Sequence, residues 1–125
     1  MDVPELRVTP APDAAVRYAG ASGDFNPIHL DDEFARSVGL PGRILHGLWT
    51  MAQVARAQTE AAGGPDRLRR LSVQFRGLGL PGEEIVVTST VRESAEGWAI
   101  VDVEATQGDR RLIRRGVAEL RTDAA

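Results

Sequence analysis

Asp24 and His29 stand five positions apart in SGDFNPIHLD, with Asn26 and Pro27 between them. A carboxylate and an imidazole both exchange protons readily, so a fixed pair of them suits general acid–base work on a water or a carbon acid. The backbone between them is restrained. Pro27 fixes its own φ and biases Asn26 toward extended geometry, which excludes a continuous helix. Gly23 permits a left-handed turn immediately before the aspartate. The stretch reads as a stiff loop presenting both groups toward one point. The same residues are also ordinary loop punctuation, because Asp24 or Asn26 can close Asx-turns with no chemistry attached. Spacing alone leaves both readings open.

The second histidine lies in GRILHGLWT, directly ahead of a long apolar run. His46–Gly47 puts a residue without a side chain at a helix's first turn, where backbone N–H groups have no intrahelical partner. Such a terminus can bind an anion or a developing oxyanion, and glycine permits close approach of a carbonyl. His46 itself reads as a residue that caps or packs beside that helix. Two histidines with Asp24 and Asp31 are metal-ligand types, but none of the usual zinc spacings appears, so no metal site is expected. Asp31 and Asp32 read as helix-start residues.

Several elements must hold these groups in place. ELRVT reads as a short first strand, with Leu6 and Val8 on one face. Asp13 is placed to cap a short helix that Gly20 ends, and DDEFARSVGL forms another that ends at Gly39, with Phe34 and Val38 on one side. From Gly47 a longer helix places Leu48, Met51, Ala52, Ala55 and Thr59 at helical spacing and stops at Gly63–Gly64. Its small, apolar composition predicts an enclosed helix. The period then changes to two. Leu71, Val73 and Phe75 alternate, as do Ile85, Val87 and Val91, and two more strands meet at Gly108–Asp109. The expected fold class is α+β, an antiparallel sheet wrapped on a central helix.

At 125 residues, with 42% hydrophobic and 26% charged residues, the chain suits one domain over 1–125, with residues 122–125 as a loose tail. A net charge of −3 gives no general attraction to nucleic acid or to an anionic membrane. There is no apolar run of membrane-spanning length and no secretory leader pattern, so a cytoplasmic location is expected. The absence of cysteine excludes thiolate nucleophiles, disulfides and iron–sulfur ligation. Every basic residue is Arg, which removes Schiff-base lysine chemistry and the lysine of a P-loop. The doublets Arg69–Arg70, Arg110–Arg111 and Arg114–Arg115 read as solvated strand faces or edge protection, with carrier phosphates as a second reading.

The stretch YAGASGDFNPIHLDDEFARSVGLPGRILHGLWTMA, from Tyr18 to Ala52, resembles the signature of the MaoC-like, R-specific enoyl-CoA hydratases and of the (3R)-hydroxyacyl-ACP dehydratases. The resemblance implies a hotdog fold, a curved antiparallel sheet around the helix from Gly47, and a homodimer joined sheet edge to edge. It implies that Asp24 and His29 activate a water, that Asn26 orients the pair, and that the Gly47 N–H polarises a thioester carbonyl. Ser22 and His46, inside the matching motifs, complete the substrate-binding candidates. The implied reaction is reversible hydration of a trans-2-enoyl thioester to the (R)-3-hydroxyacyl thioester. It needs no metal or redox cofactor, since CoA or phosphopantetheine arrives with the substrate. Members usually carry a further segment ahead of the first strand; only Met1 to Pro4 precede it here, so that strand should be short.

Two other activities fit the same resemblance. A hotdog thioesterase usually keeps a carboxylate on or beside the long helix, where this sequence offers only Glu60, near the far end. A non-catalytic or co-catalytic subunit of a heteromeric dehydratase is the other reading, in which Asp24 and His29 together make this chain the catalytic half.

Overall fold

Apolar alternation in the second half of the chain produces four long antiparallel strands: β2 (Leu68–Phe75), β3 (Ile85–Ala95), β4 (Trp98–Gln107) and β5 (Arg110–Arg121). With the three-residue β1 (Leu6–Val8) they form one sheet of order β1-β3-β4-β5-β2. A computed structural model describes residues 1–123. Two tight hairpins join the central strands. Ala95 pairs with Trp98 and Gln107 with Arg110, and Gly97 and Gly108 take the positive φ that each turn requires.

One face of the sheet is apolar and buried. Ile85, Val87, Val101, Val103, Ile113 and Leu120 are almost wholly enclosed. Each such side chain stabilises the fold by about 1.5–3 kcal/mol relative to an exposed one. They close over helix α3 (Gly47–Ala62), which contributes Val54 and Ala57 to the same core. This is the α+β arrangement expected from the sequence. A bulge near the middle of β5 bends the sheet: Val103 faces Gly116 and Ala105 faces Ile113, so β5 carries one extra residue there. Arg115 takes φ 51° in that bulge. A Cβ on Gly116 would lie 2.6 Å from the Val103 carbonyl oxygen, so the close strand approach needs glycine.

The helices depart from expectation in informative ways. Helix α3 buries Thr50, Val54, Ala57 and Gln58, whereas Leu48 is 59% exposed and Ala52 is exposed. The sheet curls around one side of α3 only, so the apolar stripe through Leu48 and Ala52 is open, and the helix is not enclosed all round. Helix α1 (Ala14–Ser22) runs past Gly20 and ends at Gly23, whose φ of 81° lets its N–H bond to the Ala19 carbonyl. Asp13 precedes it without a side-chain cap bond. Helix α2 (Asp32–Ser37) buries Ala35 and leaves Phe34 and Val38 exposed, because a helix this short rests on one residue. Phe75 also faces outward, 53% exposed. Among the arginine doublets, Arg110 pairs with Glu83 and Arg114 donates to Gln74. Of the tail, the Thr122 N–H donates to Gly97 and Asp123 accepts from Arg121; residues 124 and 125 lie outside the described residues. No helix among the described residues is long and apolar enough to cross a membrane.

One polar side chain fastens the sheet to the loop that supports α3. Gln107, fully buried, accepts from the Leu80 N–H at 2.8 Å and donates to the carbonyls of Leu80 and Glu83 at 2.7 and 2.9 Å. The neighbouring Gly79 carbonyl accepts the Leu45 N–H at 2.8 Å, just before α3 begins. Replacing Gln107 with Leu would strand three main-chain groups, each costing about 1–3 kcal/mol if left unpaired and buried. Gln107→Leu is therefore expected to lower unfolding stability by roughly 2–4 kcal/mol in urea titration. An unchanged midpoint would show that the staple carries no stability.

Candidate active site

Asp24 leaves α1 through the left-handed Gly23, and its carboxylate divides its work. Oδ1 accepts the Asn26 N–H at 3.2 Å, an Asx-turn that fixes the side chain. Oδ2 lies 3.7 Å from His29 Nε2 and 3.9 Å from His46 Nε2. Asn26 repeats the device, its Oδ1 accepting the Ile28 N–H at 3.2 Å. That bond caps a short 3-10 turn, Pro27–His29, which delivers His29 inward. Ser22 Oγ accepts the Asp24 N–H at 3.2 Å. Ser22 and Asn26 thus bond to the loop backbone beside the pair. Asp24 is half exposed and His29 buried, so a solvent-reachable carboxylate meets a fixed imidazole.

The second half of the site comes from residues 43–47. Ile44 donates its N–H to the Ile28 carbonyl at 3.0 Å, and its own carbonyl accepts from His29 Nδ1 at 2.8 Å. A carbonyl only accepts, so His29 Nδ1 carries a proton; in the neutral ring Nε2 is then the bare nitrogen that faces Asp24. With the carboxylate ionised, two acceptors 3.7 Å apart face each other, an arrangement suited to one water donating to both. The His46 ring stacks on His29, centroids 3.7 Å apart and planes 18° apart, and Tyr18 packs against it at 4.7 Å. Instead of capping α3, His46 points Nε2 at the Asp24 main-chain carbonyl, 3.0 Å away.

Gly47 occupies the first position of α3, where helix geometry leaves its N–H without an intrahelical acceptor. A Cβ there would come within 3.1 Å of the Phe75 ring, so glycine keeps the helix start open beside that ring. Asp24, His29 and His46 offer ligand atoms within 4.8 Å of one another. The two imidazoles are stacked with their planes 18° apart, whereas a histidine ligand holds its ion in the plane of the ring. Glu60 is exposed and paired with Arg56 at 2.8 Å, on the solvent side of α3.

The remaining supports of the site are main chain or distant in sequence. Ile44's carbonyl has no sequence signature. Asp32 was expected only to start α2; its Oδ1 also accepts the Arg43 N–H at 2.8 Å, while Arg43 Nε lies 3.4 Å away. Asp31 caps α2 as expected, accepting from the Glu33 and Phe34 N–H groups.

The fold, a curved antiparallel sheet packed on a glycine-led central helix, is that of the hotdog class. Residues 2–110 match the family model described as MaoC like domain, and the chain belongs to that family. It is 40% identical over 107 residues to the fatty acid synthase subunit beta of Aspergillus oryzae, covering 82% of this chain and 5% of that protein. It is 30% identical over 112 residues to the peroxisomal enoyl-CoA hydratase 2 of Arabidopsis thaliana, covering 88% of this chain and 35% of the relative. The solved R-Hydratase PhaJ1 from Pseudomonas aeruginosa, in the unliganded form, shares the fold with a TM-score of 0.87 at 22% identity, over 100% of this chain and 84% of that one. The chain therefore spans only a small part of the curated relatives it matches.

The Arg43 N–H holds the Asp32 carboxyl below its ordinary value, with the Arg43 and Arg36 charges assisting. A depressed carboxyl stabilises the fold fully above its unfolded value of about 3.9, and that contribution is lost as pH falls through the lower folded value. Asp32→Ala is expected to lower the melting temperature at neutral pH and to reduce the loss of stability on acidification. Identical curves of melting temperature against pH for the two proteins would contradict this role.

Proposed function

We propose that the chain catalyses reversible hydration of trans-2-enoyl thioesters to (R)-3-hydroxyacyl thioesters. The carrying observation is the facing of Asp24 Oδ2 and His29 Nε2 at 3.7 Å, next to the strand of main chain that opens α3. A water held between them adds its oxygen to C3. One of its protons passes to the pair, and the pair returns a proton to C2 on the same face. Charge that develops on the thioester oxygen is met by the Gly47 N–H, a donor that needs no rearrangement at the moment of reaction. Asp24 and His29 act as the acid–base pair, and Asn26 and Ser22 hold the loop. CoA or phosphopantetheine is carried in by the substrate, and no metal takes part. The relatives named for enoyl-CoA hydratase and fatty acid synthase support a thioester substrate.

A second copy of the chain completes the assembly in this proposal. Strand β2 stands at the sheet edge, and the Leu48 and Ala52 side of α3 is open to a partner. A heteromer with another hotdog subunit is the second reading; thioester hydrolysis is third, since Glu60 is tied to Arg56 away from the sheet.

Crotonyl-CoA incubated with the purified protein is expected to lose its enoyl absorbance without release of free thiol. Asp24→Asn and His29→Gln should each lower kcat by roughly a hundred- to ten-thousandfold while the protein stays folded. Thiol release would instead identify a thioesterase, and near-normal rates in either variant would remove that residue from the site. Gly47→Pro removes the proposed oxyanion donor at a helix position that tolerates proline, and Gly47→Ala, which brings a Cβ to the Phe75 ring but keeps the N–H, is its control. Gly47→Pro should reduce kcat by on the order of a hundredfold. A Gly47→Pro enzyme as fast as the wild type would exclude the Gly47 N–H from the reaction.

A further inference from the structure

His46 is the one buried side chain of the site that the hydration steps leave without a task. Its ring is 3% exposed, lies flat on His29 and is covered by Tyr18. Its Nε2 faces the Asp24 carbonyl at 3.0 Å, so Nε2 carries a proton. Nδ1 is then a bare acceptor in the neutral ring, and it is buried with no hydrogen-bond partner among the described residues. His29 is the mirror case, protonated at Nδ1 by its bond to Ile44 and bare at Nε2. Two stacked rings therefore hold opposite tautomers, each locked by one main-chain carbonyl.

We propose that His46 is a positioning residue that acts through both members of the pair. Its flat face sets the plane of His29, so the bare Nε2 looks toward Asp24 Oδ2. Its Nε2–H holds the Asp24 main chain, so the carboxylate arrives at a fixed height over that nitrogen. His46 does this without touching the reacting atoms. A residue kept only to fill space would have no reason to be a histidine. A buried nitrogen without a partner lowers stability, and a phenyl ring of similar size would avoid it. Stability and activity should therefore part company when His46 is replaced. The inference rests on the hydratase reading for its kinetic consequence but not for its geometry.

Two variants separate the ring from the donor. His46→Phe keeps a flat ring against His29 and removes the N–H. His46→Gln keeps an N–H donor and removes the ring. With only two histidines in the chain, long-range proton–nitrogen NMR of histidine-labelled protein reads both tautomers without substrate. The wild type is expected to show His46 protonated at Nε2 and His29 at Nδ1, and H46Q should shift and broaden the His29 ring signals while the Ile44 carbonyl keeps the proton on Nδ1. In H46F, kcat on crotonyl-CoA should fall up to on the order of a hundredfold, the scale of a misplaced reacting group, with KM unchanged and no drop in melting temperature. An Nδ1–H form of His46, His29 signals unchanged in H46Q, or kcat within twofold of wild type in both variants would each overturn the proposal. If the wild type hydrates no enoyl thioester, the hydratase reading fails, and the spectra alone then decide the positioning claim.

Discussion

Ile44 is bonded twice to the segment that carries His29, and the geometry of the site depends on that doubled contact. Its N–H reaches the Ile28 carbonyl, and its carbonyl fixes His29 Nδ1. Residues far apart in sequence are thereby held as though they were neighbours in a sheet. The Asp32 carboxylate secures Arg43 on one side of Ile44, and Gly79 secures Leu45 on the other. Gln107 ties the Gly79 loop back to the sheet, so the sheet sets the position of the stretch that opens α3. His46 and Gly47 inherit that position.

The opening loop solves a second problem, which is how to hold an exposed carboxylate still. A surface aspartate ordinarily samples several rotamers. Here one oxygen is bound to the Asn26 N–H while the other is left toward the imidazoles. The Asx-turn and the proposed catalytic role of Asp24 use different oxygens of one side chain. Burial of His29 against exposure of Asp24 gives the pair one fixed member and one member in contact with solvent.

Much of this was legible in the residues. Alternation from Leu68 onward produced the sheet, and Pro27 with Gly23 located the stiff loop. The buried face of α3 was not legible. Of the expected apolar stripe, Met51 packs half-buried against the core, but Leu48 and Ala52 are exposed while Thr50, Val54 and Gln58 are buried. Gln58 finds Ser89 across the core at 2.9 Å, a pairing that hydropathy does not register. Periodicity reports that a helix has an apolar side; it does not report which neighbour covers it. The end of α1 was misplaced because Gly20 and Gly23 look alike in sequence, and only the αL geometry at Gly23 distinguishes them. The stack of His46 on His29 was out of reach for a different reason. It follows from the Ile44 carbonyl and the start of α3 together, and main-chain acceptors leave no trace in side-chain identity.

The central claim is that a single water, held between Asp24 and His29, is added across an enoyl thioester beside Gly47. Its most direct test is the product formed from crotonyl-CoA in deuterium oxide. The account predicts an (R)-3-hydroxybutyryl thioester with one deuterium at C2, on the same face as the new hydroxyl, and the thioester intact. An (S) product, deuterium on the opposite face, or free CoA in place of a hydroxyacyl thioester would contradict it.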